Sequence, residues 1–134
     1  MIRQVSVYAE NKKGCFRRIT GLLTDSGINI LGSVTNDSAE YGIVRLVVSD
    51  PEKAKEELLG AGYLCRLTPV LGIELDDEVG ALNRLLTELE NTNINVDYLY
   101  LSYNRATGKP IMVLHTADTA QVENILVSRG YHAI

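Results

Sequence analysis

The spacing of apolar residues divides the chain into short strands and helices. Residues 4–10 alternate between apolar and polar side chains, a pattern typical of a strand. From Cys15 onward the apolar residues recur at helical spacing, which predicts a helix that Ser26 and Gly27 end. The same reasoning predicts strands at 4–10, 28–36, 41–48, 63–67, 70–75, 94–103, 111–116 and 131–134. It predicts further helices beginning at Pro51, at Gly80 or Ala81, and after Asp118, where a capping box opens the helix.

The second half of the chain repeats the first. At an offset of 66 residues, Gly14 falls on Gly80, Arg18 on Arg84, Leu23 on Leu89, Ile28 on Ile94 and Asn29 on Asn95. At an offset of 68, Asp50 falls on Asp118 and Gly62-Tyr63 on Gly130-Tyr131. Finding such a repeat decides the domain organisation before any choice of fold.

Each half has the order βαββαβ, so the sequence predicts an α+β protein of two ferredoxin-like repeats, residues 1–69 and 70–134. Pro69 marks the predicted junction. A repeat of about 60 residues buries only about 60% of its chain surface. We therefore expect the repeats to lie side by side in one extended antiparallel sheet, with the helices on one face.

Composition excludes several classes of partner. Apolar residues at 46% and charged residues at 22% are ordinary for a globular protein. The net charge of −4 argues against nucleic acid or an anionic membrane as the main partner. No apolar run reaches membrane-spanning length, and from residues 1–5 we expect no signal peptide. Cys15 and Cys65 form no CxxC and are expected to be free thiols, which favours a cytoplasmic location.

Two segments in each half carry a family resemblance. They are Glu10-Asn11-Lys12-Lys13-Gly14 with Gly27-Ile28-Asn29-Ile30, and Asp77 to Gly80 with Asn93 to Val96. With two βαββαβ units, the chain resembles a tandem ACT-domain protein over essentially its whole length. The family usually has proline just before the loop glycine, where this chain has Lys13 and Val79. The resemblance implies a non-catalytic regulatory module that binds a small ligand, most often a free amino acid, at the interface of two ACT-like repeats.

The resemblance also implies which residues hold the ligand. The loop residue and the asparagine that enters the second strand would be Asn11 and Asn29 in the first repeat, and Asp77 and Asn95 in the second. The full predicted set is Asn11, Lys13, Gly14, Cys15, Phe16, Asn29, Ile30, Asp77, Gly80, Ala81, Asn95 and Val96. We expect the site built on the Asn11 loop and the facing Asn95 to bind more tightly than the one built on Asp77.

The chemistry of these residues suits an amino acid. The start of a helix offers unpaired N–H groups, here around Gly14, Cys15 and Phe16, which attract a carboxylate. Gly14 lets the backbone approach the ligand closely. The Asp77 carboxylate accepts hydrogen bonds and suits an ammonium group.

Other interpretations stay open on sequence alone. Asn29 and Asn95 could be turn residues that tolerate left-handed backbone. The alternative function is a ligand-free interaction module that docks on a metabolic enzyme, and either function fits a homodimer with an enzyme partner on another chain. We expect no cofactor, no metal site at His115 or His132, and no catalytic set of residues.

Overall fold

The computed structural model describes residues 1–10, 12–36 and 41–134, with the side chains of residues 36 and 41 left out. The elements in chain order are β1 (Ile2–Glu10), α1 (Cys15–Asp25), β2 (Ile30–Asn36), β3 (Tyr41–Val48), α2 (Pro51–Gly60), β4 (Leu64–Glu74), α3 (Ala81–Asn91), β5 (Val96–Tyr103), β6 (Pro110–Thr116), α4 (Thr119–Ser128) and β7 (His132–Ala133). They form two compact units. We call Arg3–Thr68 the first repeat, and Pro69–Ile134 with Met1–Ile2 the second repeat.

The first repeat is an antiparallel sheet with two helices packed on one face. β3 lies between β2 and β1, with Val7 opposite Val44 and Ser33 opposite Leu46, and β1 also pairs with β4. The core consists of side chains from one face of β1 and β3 and from the inner sides of α1 and α2. These side chains include Val5, Val7, Ile19, Leu23, Val44, Leu46, Ala54 and Leu58. On the opposite face, the buried Ser6 hydroxyl lies 3.0 Å from the Thr68 hydroxyl.

The second repeat has the same architecture. β6 pairs with β5 and β4, and β4 pairs with β7, all antiparallel. Leu114 lies opposite both Leu71 and Leu99. The core again joins one sheet face to two helices, through Leu71, Ile73, Leu85, Leu89, Met112, Leu114, Val122 and Leu126. The predicted α+β class is confirmed by this architecture.

The observed strands differ from the predicted ones where helices end. β2 and β5 begin two residues late because the N–H of Ile28 donates to the Leu23 carbonyl and that of Ile94 to the Leu89 carbonyl, each at 2.9 Å. These amides therefore close a helix instead of entering the sheet. The final strand begins one residue late for the same reason, since the N–H of Tyr131 donates to the Leu126 carbonyl at 3.0 Å.

The prediction of separate strands on either side of Pro69 is wrong. Residues 64–74 form the single strand β4, with an exposed Pro69 inside it. Proline fixes φ near −65°, which is compatible with extended backbone, and costs the sheet only one N–H donor. The predicted hairpin turn at 37–40 lies outside the described residues. No helix in the described part of the chain combines the length and apolar character needed to cross a membrane.

Candidate functional site

The helices α1 and α3 begin differently from α2 and α4. Asp50 and Asp118 cap α2 and α4 by accepting hydrogen bonds from the N–H groups of Lys53 and Gln121, at 3.2 and 3.1 Å. The residues before α1 and α3 are Gly14 and Gly80, with φ of 82° and 89°, and no side chain caps either helix. Since only glycine adopts this backbone readily, both predicted loops bring an uncapped helix start to the surface.

The first N–H of each of these helices is already used. Cys15 donates to the Lys12 carbonyl at 3.1 Å, and Ala81 donates to the Glu78 carbonyl at 3.3 Å. The expectation that the Cys15 N–H is unpaired is therefore wrong, because the loop folds into a turn that returns a carbonyl to it. A ligand at either loop has to use other groups of the helix start.

Asn29 and Asn95 do not have left-handed backbone. That conformation falls two residues earlier, at Gly27 and at Asn93, which is the one non-glycine residue of the described ranges with positive φ. Asn29 exchanges hydrogen bonds with Ser49 through its main-chain N–H and carbonyl, each at 2.9 Å. The exposed side chain of Asn95 donates to Asp97 at 3.4 Å. Tolerance of left-handed backbone therefore does not explain either asparagine.

The predicted residues of one repeat lie at opposite ends of one helix. Gly14 precedes α1 and Asn29 follows it, and a helix of 11 residues is about 16 Å long. A single small ligand cannot touch both ends. The prediction that a loop works with the asparagine of the other repeat stays a prediction, and Asn11 itself lies outside the described residues.

The remaining predicted residues differ in exposure. Lys13, Phe16, Asp77 and Gly80 are exposed, whereas Gly14, Ile30 and Val96 are half-buried. Cys15 and Ala81, the first residues of α1 and α3, are buried. The exposed members are available to a ligand, and the buried ones can form only the floor of a site.

The second loop, residues 76–80 before α3, has three acidic side chains, and ion pairs neutralise two of them. Asp76 pairs with Lys109 at 3.1 Å, and Glu78 pairs with Arg84. Asp77 takes part in none of the ion pairs found among residues 1–10, 12–36 and 41–134. The loop therefore presents one uncompensated carboxylate, that of Asp77.

Asp77 and Ala81 line a cavity of about 300 Å³ in the second repeat. Asp76 and Glu78, whose charges are paired, also line it. The remaining walls are mainly apolar and come from α3, β5 and β6. They include Leu82, Leu101, Tyr103 and Met112. A carboxylate beside apolar walls can hold an ammonium group that carries an apolar side chain.

Sequence reasoning missed two further cavities, one in each repeat. Each lies between the end of the repeat's first strand, the start of its first helix and the turn after its second helix. Arg18 lines the cavity of the first repeat and Arg84 that of the second. The repeat alignment had already matched these arginines, so the signal was present in the sequence but carried no assigned role.

His115 is engaged by its neighbours in the second repeat. His115 lies 2.8 Å from Asp97 and stacks on Tyr98, with ring centroids 5.1 Å apart. Within the described ranges, no three His, Cys, Asp or Glu side chains converge on a possible metal position. Burial raises the pKa of the Cys65 thiol.

Comparison with known families identifies the fold. The family model of the ACT domain pair matches residues 1–134. The chain belongs to the ACT domain pair family. This match confirms the resemblance predicted from the two loops. ACT domain pairs are regulatory modules.

Solved structures agree with this assignment. Protein BT0572 from Bacteroides thetaiotaomicron is 26% identical with a TM-score of 0.90, covering 99% of this chain and 91% of its own. The ligand-free regulatory subunit of aspartate kinase from Thermus thermophilus is 14% identical with a TM-score of 0.67, covering 94% and 91%. Aspartokinase alpha and beta subunits give 17% identity and a TM-score of 0.58, covering 92% and 89%. A comparison with curated proteins gives no match.

Proposed function

We propose that this ACT domain pair is a non-catalytic sensor that binds a free amino acid and regulates a metabolic enzyme carried on another chain. The observation that carries the proposal is the cavity beside the second loop. There Asp77, a residue implied by the family resemblance, stands at the edge of apolar walls. Its carboxylate would accept hydrogen bonds from the ligand ammonium, and Leu82 and Leu101 would contact the ligand side chain.

The proposal includes where the ligand sits and how the chain assembles. The ligand binds where the two repeats adjoin, the repeats share one extended sheet, and the chain forms a homodimer. Each repeat alone is small for a stable core, which supports a shared sheet. The fold similarity to a regulatory subunit of aspartate kinase supports an enzyme partner in trans.

Regulation follows from differential binding. A ligand changes the state of the protein only when it binds one arrangement of the repeats more tightly than another. A zwitterion that contacts a loop and a strand can satisfy this condition, because a small shift between the two elements breaks one of its contacts.

The test is a thermal-shift screen of the whole chain against the twenty amino acids. A ligand at 100 times its Kd adds about 2.7 kcal/mol to stability, which raises the Tm by several degrees. We expect a saturable rise that Asp77→Ala reduces. Glu90→Ala, which removes an exposed carboxylate near the far end of α3, is the matched control and should leave the rise intact.

One further variant, Asn11→Ala, ranks the two predicted sites. If the site with Asn11 binds more tightly, Asn11→Ala should lower the affinity more than Asp77→Ala does. A larger loss from Asp77→Ala would reverse this ranking without removing the sensor function.

A protein-docking function is the second candidate, and exposed apolar side chains favour it. Val79 is 100% exposed at the second loop, and Leu82 and Tyr103 nearby are 37% and 49% exposed. Such a patch is a typical protein contact surface. A screen in which no amino acid raises the Tm would favour this candidate, and sedimentation over a range of concentrations would then test for the homodimer.

A further inference from the structure

The two repeats carry equivalent cavities at the starts of α1 and α3, which we call the helix-start cavities. Glu10, Arg18 and Tyr63 line the cavity of the first repeat. The residues that line the cavity of the second repeat at the same positions are Asp76, Arg84 and Tyr131. An acid, an arginine and a tyrosine are thus retained in both repeats, so the second cavity is an internal reference for the first.

One reversed charge separates the two cavities. The position of Glu78 in the second repeat is occupied by Lys12 in the first. Glu78 pairs with Arg84 and so neutralises it, whereas Lys12 pairs with Glu10 at 2.6 Å. Arg18 enters none of the ion pairs recorded in the described part of the chain. In the first cavity the arginine is therefore in ion-pair contact with no described carboxylate, although the charge of Arg18 still acts on the nearby Glu10, whereas in the second cavity the arginine is paired.

The Arg18 guanidinium lies close to the loop glycine. Its Nη1 lies 3.4 Å from where a Cβ on Gly14 would be, so the side chain folds back over the loop at the cavity. Arg84 lies over Gly80 in the same way, at 3.3 Å. The two guanidinium groups thus occupy equivalent places, and only their partners differ.

The walls differ as well. The first cavity has a volume of about 340 Å³ and is lined by the buried Ala9 and Cys15 and by Tyr8, Tyr63 and Leu64. The second replaces Tyr8 with Glu74 and Leu64 with His132, and adds Lys109. Ligand pockets range from about 300 to 1,000 Å³ and are mostly apolar with a few polar groups that fix orientation. The first cavity matches this description better than the second.

We propose that the helix-start cavity of the first repeat binds a small carboxylate with an apolar side chain, anchored by Arg18, and that the equivalent cavity of the second repeat does not. A guanidinium holds a carboxylate through two parallel hydrogen bonds. The apolar side chain of the ligand contacts Tyr63, Leu64 and Cys15. This inference goes beyond the sensor function proposed above, because the site lies in the first repeat and uses neither Asp77 nor Asn95.

Two ligand classes share this chemistry, namely an apolar amino acid and the 2-oxo acid that corresponds to it. The Glu10 carboxylate beside Arg18 decides between them, because only the amino acid has an ammonium group that can donate hydrogen bonds to Glu10. The hydrogen bond and charge of Lys12 hold the pKa of Glu10 below its usual value, so this carboxylate is ionised at neutral pH.

The experiment is calorimetric titration of the whole chain with L-leucine, L-phenylalanine and the 2-oxo acid of each. We expect at least one of the four to bind. Arg18→Met keeps the length of the side chain but removes its charge, and should raise the Kd at least tenfold. Arg84→Met is the matched control and should leave the Kd within twofold. Lys12→Glu gives Arg18 the partner that Arg84 has, and should also weaken binding severalfold.

The position of the ligand is read from backbone amide NMR shifts. Binding should move the amides of Cys15, Gly62 and Tyr63 and leave those of Gly130 and Tyr131 in place. Failure of all four compounds to bind, or binding that Arg18→Met leaves unchanged, would overturn the inference. Binding that is lost in Asp77→Ala but kept in Arg18→Met would also overturn it, while supporting the sensor site proposed above.

Discussion

All four helices of the described structure end in the same turn, which gives a sharp prediction for stability. The residue after each C-cap has positive φ, at Gly27, Gly62, Asn93 and Gly130. The N–H of this residue and the N–H of the residue after it donate to carbonyls in the last helical turn, as in a Schellman motif. After α1, for example, Gly27 donates to Thr24 at 3.0 Å and Ile28 donates to Leu23 at 2.9 Å. We predict that alanine destabilises the protein at each of these positions.

The magnitude follows from the backbone alone. A Cβ at Gly27, Gly62 or Gly130 would meet nothing within 4 Å, so no steric clash contributes. Left-handed backbone costs a residue with a Cβ about 1–2 kcal/mol, and alanine recovers about 0.4–1 kcal/mol by restricting the unfolded chain. The net loss for each glycine is therefore about 1 kcal/mol. Asn93 already has a Cβ in left-handed backbone, so Asn93→Ala should lower the free energy of unfolding by less than the glycine substitutions do. Asn93→Gly should be neutral or stabilising.

The assay is urea unfolding followed by circular dichroism. With an m value of about 1–3 kcal/mol/M, a loss of 1 kcal/mol lowers the midpoint by about 0.3–1 M. The control is Gly60→Ala in the last turn of α2, where φ is not positive and no atom lies within 4 Å of the added Cβ. Alanine there should stabilise by about 0.5–1 kcal/mol. A neutral Gly27→Ala, or a larger loss from Asn93→Ala than from Gly27→Ala, would refute the reasoning.

Three further predictions concern a cap, the core and a surface pair. Asp118→Ala should lower the free energy of unfolding in urea by about 1 kcal/mol, whereas Asp118→Asn keeps the acceptor for the Gln121 N–H and should lower it little. Equal losses from the two variants would exclude the cap as the cause. Leu85→Ala removes a fully buried side chain and should cost about 2–5 kcal/mol, and a loss below 1 kcal/mol would contradict the packing described for the second repeat. In an NMR titration the pKa of Glu10 should lie below that of an ordinary glutamate and rise in Lys12→Met, and an unchanged pKa would show that the pair does not form in solution.

The sequence predicted those features of the fold that depend on one residue type at a fixed spacing. The start of α1 at Cys15, the capping of α2 by Asp50 and of α4 by Asp118, and the bounds of β3 all agree with the structure. Each rests on a local rule, such as a short polar acceptor before a helix or a run of β-branched and apolar residues that follows a turn. Local rules transfer well because the interaction they describe lies within a few residues.

The errors occurred where one residue satisfies two rules. Ile28 is β-branched and apolar, which favours a strand, but its N–H closes the preceding helix. Pro69 usually marks a break, yet its fixed φ fits an extended chain and it lies inside β4. In both cases the choice depends on which hydrogen bonds the folded chain forms, and residue type alone does not decide that.

The loops of the candidate site could be predicted from the sequence, but the ion pairs and the apolar walls beside them could not. The repeat and the family resemblance indicated Gly14 and Gly80, and the structure places both at uncapped helix starts. The pairing of Glu78 with Arg84 requires a loop to fold back over the first turn of its helix, and spacing alone does not indicate this. The apolar walls beside Asp77 come from β5 and β6, which are distant in sequence.

The comparison of the two repeats separates what duplication has kept from what has changed. Both keep the loop glycine, the capping aspartate and the turn that ends each helix, all of which serve the backbone. The charges around the loops differ, because Lys12 in one repeat stands where Glu78 stands in the other, and that difference decides whether the nearby arginine is neutralised. A duplicated module that needed two identical ligand sites would have to keep these charges alike. Their divergence instead favours unequal binding by the two repeats, and a ligand that prefers one repeat gives a regulatory protein a single defined signal.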